Sequence, residues 1–225
     1  MAARALPSPA QLATLAGCAA AGALGVLPGA GGAFDPVTLL GWLALLAAAA
    51  GALCGARGVA LLAALSVPAT WLLFLSVLSA AQSGPRRELP TPLWAGCALG
   101  GLFALGHALG SRARLPFRSA GGLFLLALVL SGAAQGFGLF AGGTELARAH
   151  PRLAARLLDV SPLVLAYDCA GHDWIHSQPE VYAAGGVEWI QRRARPGNLA
   201  GPAVLVVGCA LAVVARRPHP AARAR

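Results

Sequence analysis

The residues whose types and spacing bear most directly on chemistry lie in one short run, Asp168-Cys169-Ala170-Gly171-His172-Asp173-Trp174-Ile175-His176. On a continuous helix, Cys169, His172 and His176 stand at i, i+3 and i+7 and share one face. A thiolate and two imidazoles are donors that zinc prefers, and three protein ligands leave a fourth position open. The order H-D-x-x-H differs from the metalloprotease motif H-E-x-x-H at one place. Asp173 stands where a glutamate would serve as general base, and its shorter side chain holds a carboxylate farther from the metal. The pair Tyr167-Asp168 has no second carboxylate motif on another apolar run, so an intramembrane aspartyl protease is excluded. The same residues also read as the polar, helix-capping side chains of a solvated connector. On that reading, the one adopted for the sequence, there is no cofactor and no catalytic residue, and enzyme activity stays an open alternative.

This run belongs to the stretch from Thr144 to Gly197, which carries six of the chain's eight acidic residues. The rest of the chain is a series of apolar runs. Hydrophobic residues make up 57% of the sequence and charged residues only 11%, against roughly 25% charged in soluble domains. A single core in a chain of this length cannot hide that much apolar surface, so lipid must solvate much of it. The expected class is an all-α, polytopic transmembrane bundle.

The net charge of +9 comes from 17 basic residues, every one an arginine. A nucleic-acid binder concentrates such charge on one soluble face. Here the arginines fall in short loops, where they set topology and meet lipid headgroups, so no nucleic-acid partner is expected. Cys18, Cys54, Cys97 and Cys209 lie inside apolar runs and act as small hydrophobes, leaving only Cys169 in the polar stretch and no internal disulfide implied. Leu15-Ala16-Gly17-Cys18 spells a lipoprotein cleavage site in letters. Pro7 and Pro9 break the region before it and the apolar run continues beyond Cys18, so the segment is taken as a first span.

Six spans are expected: Gln11–Val26, Val37–Cys54, Val59–Ala80, Leu93–Leu109, Gly121–Phe140 and Leu199–Val214. Pro68 predicts a kink in the third. Gly51 with Gly55, Gly96 with Gly100, and Gly106 with Gly110 have the small-xxx-small spacing that lets helices approach closely, on two sides in the fourth span. His107 and Gln135 are the notable polar groups within spans. An intramembrane ionisable residue is a functional candidate by default, but His107 lies near the end of its span and reads as structural, and Gln135 as a bond to a neighbouring helix. Domain boundaries follow: a five-span bundle over 1–143, an external short-helical connector over 144–197, and the sixth span with a basic tail over 198–225.

Within the connector, Leu146, Leu153, Leu157 and Val160 alternate with Arg148, Arg152 and Arg156 at the helical period, which predicts a helix in the headgroup layer or packed on the bundle. Ser161-Pro162 is a helix start, with Ser161 as N-cap and Pro162 at the first helical position. The following apolar run is too short to span, so it dips into the membrane or packs on the spans. With the N-terminus inside, nine short-loop arginines are cytoplasmic and only Arg86 and Arg87 face out. The positive-inside rule then puts both termini in the cytoplasm of a cell inner membrane and the connector outside.

Six spans with an external connector before the last, together with the segment Ser161-Pro162-Leu163-Val164-Leu165-Ala166-Tyr167, resemble the permease subunits of ABC-2-type exporters over about the last third of the chain. The resemblance implies a membrane subunit of a transport complex whose ATPase is a separate chain, since the sequence holds no Walker motif. It differs from that family in lacking an amphipathic helix before the first span, and in the short turn Gly55–Gly58 where a coupling helix would receive the ATPase. The alternatives are a structural or assembly membrane protein, or a metal-dependent membrane enzyme. The partners expected are the lipid bilayer, further membrane subunits or an ATPase, and an oligomer or complex.

Overall fold

Prolines open half of the described helices, because a proline at the first helical position gives up no bond and pre-sets the backbone angle. The structure is a computed structural model and describes residues 7–24, 36–81, 91–112, 119–143, 150, 161–172 and 197–215, with the side chains of 81, 120, 135–143 and 197–198 excepted. Eight helices occur among these residues, with no strand: α1 (Pro9–Ala23), α2 (Pro36–Ala56), α3 (Leu61–Ala64), α4 (Ser66–Ala81), α5 (Pro92–Arg112), α6 (Ala120–Gly143), α7 (Pro162–Ala170) and α8 (Gly197–Ala215). Ser8 opens α1 with a capping box: its hydroxyl accepts from the Gln11 N–H and the Gln11 side chain accepts from the Ser8 N–H. Pro68 has no N–H to offer Ala64, and the helix breaks at Leu65, dividing the expected third span into α3 and α4.

Three stretches are long and apolar enough to cross a membrane: α2, the α3–α4 run Leu61–Ala80, and α5. Shorter apolar helical stretches cover Gly121–Ala134 of α6 and Leu199–Ala215 of α8. The described residues are thus all-helical, and the apolar helices make the chain a membrane protein. The span windows of α2 and α5 are each 67% buried and that of α3–α4 only 33%, which makes α2 and α5 the interior pair. Exposed Leu73, Phe74 and Val77 on α4, Leu125, Val129 and Leu130 on α6, and Val206, Val207 and Leu211 on α8 form the apolar exterior that lipid would solvate.

Glycines bring the central helices together. A Cβ at Gly51 or Gly55 of α2 would collide with the carbonyls of Phe103 and His107, and one at Gly106 or Gly110 of α5 with those of Ala48 and Ala52. The two small-xxx-small pairs therefore interlock with each other, backbone to backbone. On another side of α5, Gly101 faces Val204 and Leu205, and Gly208 of α8 faces the Gly101 carbonyl at 2.5 Å from its would-be Cβ. Gly96 meets Leu72 of α4. The fourth expected span is packed on three sides.

Residue numbers rise together across both interfaces, so α2, α5 and α8 run parallel. The other long helices run against them. Gln11 of α1 meets Arg57 and Gly58 while Ala21 meets Trp42; Trp71 of α4 meets Phe103 while Leu72 meets Gly96; and Gly132 of α6 meets Leu45 while Ala127 packs with Ala49 and Ala52. The largest core cluster joins α1, α2, α4, α5 and α7 around Leu40, Leu43, Trp71, Leu75, Leu99 and Phe103.

Candidate functional site

The polar run singled out in the sequence begins on α7. Ser161 caps this helix, its hydroxyl accepting from the Val164 N–H at 3.5 Å, with Pro162 in the first turn. Nine residues cannot span, and α7 packs on the spans: Leu163, Val164, Ala166, Tyr167, Cys169 and Ala170 are all buried. It seats at the end of the bundle where α2, α5 and α8 begin. The Tyr167 hydroxyl donates to the Val37 carbonyl at 3.2 Å, one residue into α2. Thr91, just before α5, donates its hydroxyl to the Cys169 carbonyl at 2.7 Å and its N–H to the Ala170 carbonyl at 3.0 Å. A Cβ at Gly201 of α8 would sit 3.3 Å from the Cys169 sulfur and 3.4 Å from Cys97 Cβ, and one at Gly41 would press on the Tyr167 hydroxyl at 2.9 Å.

The helix stops at Ala170. Gly171 takes the left-handed conformation, φ 69°, its N–H bonds the Asp168 carbonyl and the His172 N–H bonds the Tyr167 carbonyl, the paired bonds of a Schellman cap. Cys169 and His172 are therefore not one turn apart on a continuous helix. His172 instead folds back so that its ring meets Tyr167 edge-on, centroids 5.4 Å apart. Asp168 is half-buried on α7. Asp173 and His176 lie outside the described residues, as do the side chain of Gln135, the amphipathic segment from Glu145 to Val160 apart from position 150, and the stretch from Pro179 to Arg195. Among the described residues no three His, Cys, Asp or Glu side chains converge.

Burial pushes the Cys169 thiol up to about 11; the neighbouring Asp168 charge adds to the effect, and the Gly201 N–H, which bonds the sulfur, works against it. At neutral pH Cys169 is a thiol, and any metal ligated there would have to displace its proton.

His107 sits at the opposite end of the bundle, fully buried. Its Nε2–H donates to the Val59 carbonyl at 3.0 Å, and Ser111, one turn on, lies 3.4 Å from Nδ1. With Gln11, whose amide donates to the carbonyls of Arg57 and Gly58, His107 fastens the turn between α2 and α3.

Thr91, Gly201 and Cys97 were not among the residues the sequence marked. Thr91-Pro92 carried a helix-start signal, but a hydroxyl reaching a carbonyl 78 positions away leaves no local trace. The chain matches no protein-family model, no curated protein and no solved structure.

Proposed function

We propose that the chain crosses a cell inner membrane six times, with both termini cytoplasmic, and serves as the membrane subunit of a transport complex whose ATPase is a separate chain. The observation that carries this is α7, a buried helix too short to span, wedged among the first turns of three parallel helices. Transporters build their sites from short helical segments that do not span and that neighbouring helices bury, and a non-spanning helix buried among span ends supports that reading. The alternation of α1, α4 and α6 against α2, α5 and α8 supports six crossings, and the nine-to-two arginine asymmetry supports the orientation.

Affinity purification in mild detergent tests the transport reading: a nucleotide-hydrolysing chain should accompany the protein, and isolation without any partner overturns it. For topology, Gln178→Cys in a cysteine-free background should react with an impermeant thiol reagent in intact cells; labelling only after lysis reverses the orientation.

The glycine interlock of α2, α5 and α8 favours a second reading, a structural or assembly protein with no transport path, which purification without an ATPase but with another membrane protein would support. A zinc-dependent enzyme built on Cys169, His172 and His176 makes a third, distinct demand: about one zinc per chain by elemental analysis, lost in His172→Ala.

A further inference from the structure

Beside the core, away from α7, a cavity of about 330 Å³ lies between α1, α2, α4 and α6. Its walls are Gly17 and Cys18 of α1, Leu46 and Ala50 of α2, Trp71 of α4 and Phe124 of α6. The volume falls at the lower end of small-molecule pockets, roughly 300–1,000 Å³. The one side-chain hydroxyl in its lining, Thr14, is already bonded to the Ala10 carbonyl, so the walls present hydrocarbon and an occupant must be apolar there. Gly17 and Gly121, exposed on α1 and α6, border the cavity, and a Cβ at either meets nothing within 4 Å. The space thus reaches the outer surface of helices that belong in lipid.

Charge marks one end of this cleft. Leu53 lines it, and one turn further, just past the end of α2, lies the exposed Arg57, whose carbonyl is held by Gln11 at the start of α1. Gly121 opens α6 at the same end, because α6 runs against α2. Arg112, exposed in the last turn of α5, lies at that end too. No acidic residue occurs among positions 36–81, 91–112 or 119–143. A long apolar slot that finishes beside guanidinium groups, with no acidic residue at that end among the described residues, suits a molecule with a hydrocarbon chain and an anionic head.

We propose that this cleft binds an anionic phospholipid, one acyl chain lying between α1 and α6 against Trp71 and Phe124 and its phosphate beside Arg57. The site is independent of whether the protein serves a transport complex.

Native mass spectrometry of the delipidated full chain, titrated with phosphatidylglycerol or phosphatidylcholine, tests it. The wild type should take one phosphatidylglycerol at least fivefold more tightly than phosphatidylcholine. Gly17→Leu and Gly121→Leu fill the slot from opposite walls, and each should lose that bound lipid while melting in detergent within a few degrees of the wild type. Arg57→Gln should keep a lipid but lose the preference for phosphatidylglycerol. Equal affinity for the two lipids in the wild type overturns the proposal, as does undiminished lipid binding in both leucine variants. Should both variants melt early, the wild type alone decides: phosphatidylglycerol must raise its melting temperature and phosphatidylcholine must not.

Discussion

The two ends of the α2–α5–α8 bundle are closed with the same backbone device, and the residues that hold it differ in kind. At the Arg57 end, Gly58 takes φ 68°, its N–H bonds the Gly55 carbonyl and the Val59 N–H bonds the Cys54 carbonyl. This Schellman cap is the chain's own turn between consecutive helices, and a buried imidazole, His107, secures it. At the other end the matching cap, Gly171, finishes α7, which lies in the chain between α6 and α8 and is fastened by the hydroxyls of Tyr167 and Thr91 together with the N–H groups of Thr91 and Gly201. A cap inside a covalent hairpin stays near its partners even when they let go. A cap on an inserted helix depends on every bond that seats it, so the α7 end is where the fold can open.

The largest effect should fall between the ends. At Gly106 any side chain meets the Ala48 backbone, and overpacking typically costs ~1–3 kcal/mol even where side chains can shift. Gly106→Leu should therefore leave no folded monomer on size-exclusion chromatography in detergent. Gly132→Ala is the control, since among the described residues its Cβ would meet only Leu45, at 3.8 Å. That variant should melt at or above the wild-type temperature, gaining up to about 1 kcal/mol in helix propensity.

The ends come next. His107→Ala removes a buried side chain together with its bond to Val59, so a loss of about 3 kcal/mol is expected. Tyr167→Phe and Thr91→Val each delete one hydroxyl bond, about 1 kcal/mol apiece. Global melting should rank them in that order. Hydrogen exchange should separate them differently: the hydroxyl variants should speed exchange across α7 while leaving the amides of Arg57 to Val59 slow. Uniform acceleration at both ends would mean that α7 is no weaker a unit than the turn.

How much of this was legible in the sequence follows the range of each interaction. Span positions came from hydrophobic runs and breakers, and each of the six expected runs overlaps a helix, with Pro68 breaking the third close to its own position, but only three stretches are long and apolar enough to cross a membrane. Ser161-Pro162 started α7 because a cap is a local device. The stopping point of α7 was missed. A glycine after an apolar run is an ordinary C-cap signal, yet attention to the i, i+3, i+7 spacing carried a helix through Gly171. The small-xxx-small pairs announced close contacts, but that Gly51 and Gly55 meet the very helix bearing Gly106 and Gly110 is a property of two distant segments. The clamp from Thr91 to Cys169 and the cleft beside Trp71 depend on tertiary placement and have no signature in spacing.

The last prediction uses Cys169 to ask whether the α7 end is as dry as its burial indicates. Its thiol is held at about 11 in the fold, against 9.0 for an unburied cysteine. Between those values the unfolded chain has lost the proton that the folded chain keeps, so the folded state binds more protons and stability falls as pH rises. The contribution is complete below pH 9 and is lost progressively through 11, about 1 kcal/mol of it by pH 10. Cys169→Ala removes the group. Melting temperatures in detergent at pH 7, 9 and 10 should decline more steeply in the wild type than in the variant, with the two curves converging as pH increases. Parallel curves would place water at the sulfur and α7 already loosened from Gly201. A steeper wild-type curve that flattens in Thr91→Val would show that the hydroxyl clamp keeps water from this end of the bundle.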